Sequence, residues 1–72
     1  MIADIRDRCA HAPFRPFSIR TSDGHEYPVP TVDHIYFPPG GRRVIVSDDK
    51  GIVSILTPLH ISGVIESPNG AD

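Results

Sequence analysis

Phe17-Ser18-Ile19-Arg20-Thr21-Ser22-Asp23-Gly24 (FSIRTSDG, residues 17–24) is the stretch whose reading decides the fold. Phe17, Ile19 and Thr21 fall on one side of an extended chain and Ser18, Arg20 and Ser22 on the other, because successive side chains of a strand point to opposite faces. That alternation predicts a half-buried strand. Asp23-Gly24 supplies the residues of a two-residue hairpin turn, in which positive φ is required. The returning stretch from His25 to Phe37 is apolar at Tyr27, Val29, Val32, Ile35 and Phe37, and Pro28 and Pro30 interrupt it. Neither proline donates a ladder hydrogen bond, so the expectation is one long strand that bends sharply near residues 29–31, its prolines at an edge or a bulge.

Toward the C-terminus, Pro38-Pro39-Gly40-Gly41 places proline second and glycine third, as a type II turn requires. Val44 and Val46 then share a face opposite Ile45, and Asp48-Asp49-Lys50-Gly51 forms a second polar turn. Ile52 to Leu56 is the next strand, Thr57-Pro58-Leu59-His60 interrupts it, and Ile61 to Glu66 is the last. Residues 67–72 (SPNGAD) have nothing apolar to bury and read as a flexible tail. No internal repeat is legible. Toward the N-terminus, Phe14 and Phe17 of the proline-fixed segment PFRPF supply bulk for a core. Before it, Ile2, Ile5 and Cys9 recur at helical spacing, and Pro13 ends the helix. The expected fold is mainly β: one N-terminal α-helix followed by a five-stranded, strongly bent antiparallel small barrel over residues 1–66. Its expected core is Phe17, Ile19, Val44, Val46, Val53 and Ile55.

The order helix, strand, Asp-Gly turn, long bent strand, turn, strand, turn, strand, break, strand resembles the Sm-like (Hfq-like) family from about Phe17 to Glu66. FSIRTSDG is similar to that family's first strand and turn, and LHISGVIES (Leu59–Ser67) to its final strand. The resemblance implies a ring-forming RNA-binding barrel, Sm-like or, as a monomeric counterpart, SH3-like. The chain departs from the family at its functional positions. Where the family ends its bent strand in an Asp followed by an RNA-contacting aromatic or Asn, this chain has Phe37-Pro38-Pro39-Gly40. Where Hfq-type proteins carry Tyr-Lys-His, it has Thr57-Pro58-Leu59, with His60 one place on. The chain also resembles short uncharacterised bacterial proteins that share the PFRPF segment and the Asp-Gly hairpin.

Composition narrows the function classes. Hydrophobic residues at 39% and charged residues at 22% belong to a folded chain, not a disordered one. A formal charge of −2, with a single lysine, gives no global attraction to nucleic acid or anionic membranes. One cysteine rules out an internal disulfide, and no stretch reads as a signal peptide or membrane span, so the expected location is cytoplasmic. A chain this short buries only about 60% of its unfolded surface, which makes a partner chain the easiest added support. His25, His34 and His60 match no zinc-ligand spacing, so neither a metal nor a cofactor is expected. Asp33-His34, adjacent on a strand, would face opposite ways and cannot act as part of a hydrolytic relay. Cys9 lies on the apolar stripe and reads as an inert, buried thiol. With no phosphate loop and no nucleophile–base pair, the sequence reads as a non-enzymatic interaction module that self-associates or docks on a partner protein. The alternative is an Sm-like protein with weak, salt-sensitive RNA binding. Arg20, Tyr36, Arg42, Arg43 and His60 are the candidate contact residues for either partner, Tyr36 as an exposed aromatic.

Overall fold

The computed structural model describes residues 2–66; the segment 67–72 read as a tail lies outside the described residues. A helix α1 (Ile2–Ala10) precedes six strands: β1 (Phe17–Thr21), β2 (Glu26–Val29), β3 (Ile35–Tyr36), β4 (Val44–Ser47), β5 (Val53–Leu56) and β6 (Ile61–Glu66). They form two antiparallel three-stranded sheets, β2-β1-β6 and β3-β4-β5. The mainly β architecture with an N-terminal helix is therefore present, while the ladders among the described residues do not close into a barrel.

The expected long bent strand is two strands. Pro30 and Thr31 end β2, and a short 3₁₀ turn, Val32–His34, carries the chain across to β3 in the other sheet. Pro28 sits on an edge strand, where its missing donor leaves no ladder bond unmade. A second 3₁₀ turn, Pro58–His60, carries β5 into β6 in the same way.

The hairpin turns also differ from expectation. Thr21 N–H donates to His25 O at 2.9 Å and Gly24 N–H to Thr21 O at 2.9 Å, so the loop is three residues long, not two. Only Gly24, at φ 86°, is left-handed; Asp23 is not. This is a tight turn followed by a glycine bulge. The β4–β5 turn is built identically: Asp48 N–H donates to Ile52 O at 3.0 Å, Gly51 N–H to Asp48 O at 3.2 Å, and Gly51 has φ 85°.

These parallels expose an internal repeat that the residue types conceal. Each half is a hairpin, a Thr-x-x-His 3₁₀ turn and a strand: residues 17–36 and 44–62. Exchanging the halves converts the sheet β2-β1-β6 into β5-β4-β3. The halves also interlock, since Ser22 in the first hairpin turn donates its N–H to His60 O at 2.7 Å, while His34 reaches Asp49 in the second at 2.7 Å.

The core joins Ile5, Phe17, Ile19, Val29, Val44, Val46, Leu56 and Ile61, with Cys9, Phe14, Tyr27, Ile35, Phe37 and Val64 packed against it. Ile5 makes α1 part of the fold, and the helix touches both halves. Arg6 lies 5.0 Å from the centroid of the Phe37 ring, a cation–π contact, and Arg8 bonds Glu66 at 3.2 Å. Two expected core residues are not there: Val53 and Ile55 are 59% and 60% exposed, and Leu56 is buried instead. Cross-strand partners share a face; buried Val46 pairs with Ser54 and buried Val44 with Leu56, which turns Val53 and Ile55 outward.

Phe17→Ala should cost about 3–5 kcal/mol in a chemical denaturation series, whereas Ile55→Ala should stay within about 0.5 kcal/mol of the parent. Equal losses from both would contradict this division of core and surface.

Candidate interaction surface

The outward face of the second sheet is apolar. Tyr36 pairs with Ile45 and Ile45 with Ile55, so the three form one cross-strand row on the side away from the core. Tyr36 is 58% exposed, Ile45 half-buried, and Val53 lies on the same face opposite Ser47. No strand residue of this face carries a charge. Ile52, in the bulge before β5, and Leu59, in the 3₁₀ turn after it, add further exposed apolar surface along the chain. The outward face of the first sheet differs: Arg20 donates to Glu26 at 2.8 Å, with Ser18 and Pro28 beside them.

The residues singled out from sequence do not form one patch. Arg20 is ion-paired in the first sheet. Tyr36 stands on the apolar face as an exposed aromatic, with Ile35 and Phe37 half-buried on either side. Arg42 and Arg43 are exposed where the chain enters β4, and neither forms an ion pair among the described residues. His60 turns its ring back on Thr57, Nδ1 to Oγ1 at 2.9 Å. Sequence reasoning placed Ile45 opposite the core pair Val44 and Val46, as observed, but missed Val53 and Ile55 as surface residues; the signal was the three-residue turn, which fixes which alternate positions face out.

The three histidines have separate local partners. The His25 ring lies 4.3 Å from that of Tyr27, centroid to centroid. Among the described residues no group of three or more His, Cys, Asp or Glu side chains is placed to hold a metal ion. His34 does not work with Asp33: the pair lies on a 3₁₀ turn, not a strand, and the acid that His34 meets is Asp49. His34 Nε2 lies 2.7 Å from Asp49 Oδ1 and Nδ1 lies 2.8 Å from Thr31 Oγ1. With the ring proton donated to the carboxylate, Nδ1 accepts from the Thr31 hydroxyl. Hydroxyl, imidazole and carboxylate thus stand in line, but Thr31 Oγ1 also accepts Asp33 N–H at 3.3 Å and caps the turn. The same Thr–His bond recurs at Thr57 and His60 without a carboxylate bond among the described residues. What the two sites share is the turn, so the bond is a turn-closing device.

Open clefts also mark the surface formed by the described residues. One of about 570 Å³ lies between α1 and β6, lined by Asp4, Asp7, Arg8, His11, Arg15 and Glu66. Another, of about 280 Å³, is lined by residues that include Ser22, Asp23, Tyr27, Ile55 and His60. Burial pushes the Cys9 thiol up from its ordinary value, the opposite of what an activated nucleophile needs. No helix among the described residues is long and apolar enough to cross a membrane.

Comparison of the chain with protein-family models, with curated proteins and with solved structures finds no match in any of the three.

One titration checks the hairpin geometry at the rim of the smaller cleft. The Thr21 hydroxyl and then the His25 N–H, bonded to the Asp23 carboxylate, hold Asp23 below the ordinary aspartate value. A lowered folded-state pKa means that this contribution is present above the unfolded value, about 3.9, and is lost as pH falls through the lowered one. NMR titration of the Asp23 carboxyl should show that depression, and Thr21→Val should move the midpoint back toward the ordinary value. No movement would show that the hydroxyl does not set it.

Proposed function

We propose that this chain is a non-enzymatic interaction module that docks on protein through the outward face of β3-β4-β5. The observation that carries the reading is the uncharged row Tyr36–Ile45–Ile55, with Val53 beside it, left open to solvent in so small a protein. A contiguous exposed apolar patch of a few hundred Å² on a soluble domain ordinarily marks such a site. The fold belongs to this reading as a small barrel of the Sm-like or SH3-like kind. Its support is the circuit of the chain: β1 pairs with both β2 and β6, and one 3₁₀ turn leads each hairpin into the opposite sheet.

RNA binding is a second reading, favoured by one observation: Arg42 and Arg43 are exposed, without an ion pair among the described residues, just ahead of Ile45, the cross-strand partner of Tyr36. A net charge of −2 and the ion pair that occupies Arg20 limit it to weak, salt-sensitive binding. Anisotropy with a uridine- or adenine-rich oligonucleotide should fall away between about 50 and 200 mM salt.

A photoreactive phenylalanine in place of Tyr36 should form discrete protein adducts in living cells, and the same probe at Arg20 should not. Adducts with RNA alone, or equal yields from both positions, would overturn the protein-docking reading.

A further inference from the structure

We infer that a second copy of the chain pairs antiparallel along β5, the open edge of this sheet, about a two-fold axis through Ser54. The inference goes beyond the docking reading above, because it concerns the edge of the sheet and leaves the outward face free. It comes from comparing the four sheet edges. Native proteins guard strand edges with proline, charge, shortness or a covering element. β2 carries Glu26 and Pro28; β3 is two residues long, held between a 3₁₀ turn and Pro38-Pro39; β6 is tied to α1 through Arg8 and Glu66. β5 carries neither proline nor charge within the strand, although it too runs into a 3₁₀ turn at Pro58 and Ile55 borders the first hairpin across the smaller cleft. The internal repeat sharpens the contrast, because β5 is the counterpart of β2: Val53 occupies the place of Glu26, and Ile55 the place of Pro28. The two edges share a geometry, and only one has lost its guards.

The alternation of the ladder shows what that edge offers. Asp48 N–H bonds Ile52 O in the hairpin, so pairs alternate outward from there and Ser54 bonds to Val46, while the main-chain groups of Val53 and Ile55 point away from β4. A second β5 running antiparallel would set Val53 opposite Ile55 of the other copy, each such pair exchanging both of its bonds, with Ser54 against Ser54 at the axis. The resulting six-stranded sheet would carry the Tyr36–Ile45–Ile55 row across the junction. Charge does not bar a second copy at this edge: two chains of net charge −2 repel overall, but β5 (Val53–Leu56) brings no charged side chain to the junction. A standard interface buries roughly 800 Å² per partner, about a sixth of the 4873 Å² surface. One four-residue strand and its flanking face fall short of that, so the dimer is reversible and depends on concentration.

Sedimentation velocity between about 10 µM and 1 mM should show the mass rising from 7.9 kDa toward twice that value. The variant Val53→Glu/Ile55→Pro copies the guards of β2 and should remain folded by circular dichroism, with its dissociation constant raised at least about tenfold. Hydrogen exchange on the unaltered protein is the second measurement. Protection of the Val53 and Ile55 amides should grow with concentration, while that of Ser54, already bonded to β4, should not. A strict monomer at the highest concentration, a folded variant that dimerises as before, or concentration-independent exchange at Val53 and Ile55 would each overturn the inference. Tyr36, two strands away on β3, tests the docking reading separately: discrete adducts there with another protein support that reading whether or not β5 pairs, and their absence overturns it.

Discussion

Phe17 is the side chain at which the helix and both sheets meet. Its strand is paired on both sides, with Val29 opposite on β2 and Glu66 opposite on β6. Its ring is almost wholly buried in the cluster that contains Ile5 of α1 and Val44, Val46 and Leu56 of the second sheet. Phe14 approaches it to 6.0 Å between ring centroids, which fixes the proline-rich connector over the same spot. In a domain that buries little more than half of its unfolded surface, few side chains can serve more than one layer. Removing a ring that does so opens a cavity shared by both sheets and the helix, which is why its cost exceeds the transfer of one aromatic side chain.

How much of this was legible in the sequence depends on which physical signal each element uses. The alternation of Phe17, Ile19 and Thr21 and the helical spacing of Ile2 and Ile5 are set by local geometry, and the buried positions match. The strand after Gly51 was misread because Ile52-Val53-Ser54-Ile55-Leu56 is apolar at both parities. Alternation about the polar Ser54 favours Val53 and Ile55 as the core pair. The face is decided elsewhere, by the register that a three-residue turn imposes on β4 and β5, and a one-residue slip exchanges the two faces. Part of the candidate site followed from that same slip: Tyr36 was recognisable as exposed and Ile45 as facing away from Val44 and Val46, while Ile55 became recognisable only once the register was known.

The broken second strand has a related cause. Pro28 and Pro30 were read as confined to an edge or a bulge, and Pro28 does sit on the edge strand β2, but a bend and a 3₁₀ turn satisfy the restriction after it equally well. What selects the turn is Thr31 and His34, whose side chains close it, and the same pair recurs at Thr57 and His60. A Thr-x-x-His repeat with few other identities around it is too sparse to be seen as a repeat in sequence. It emerges once the two hairpins are superposed in register, since Phe17 and Val44, Ile19 and Val46, and Val29 and Leu56 then occupy matching buried places.

That repeat gives the surface its meaning. Two halves of one design bury their strands alike, turn alike and lock onto each other through reciprocal contacts, Ser22 to His60 and His34 to Asp49. Stability alone gives no reason for the halves to differ on their outward sides, where substitutions ordinarily change it little. They do differ: Arg20, Glu26 and Pro28 on one face, Val53, Ile55, Ile45 and Tyr36 on the other. An exposed β-branched edge is an aggregation liability that proteins commonly guard against. A chain that guards the edge in one half and leaves the matching edge bare in the other is what the proposed pairing through β5 requires, since only an unguarded edge can take another strand.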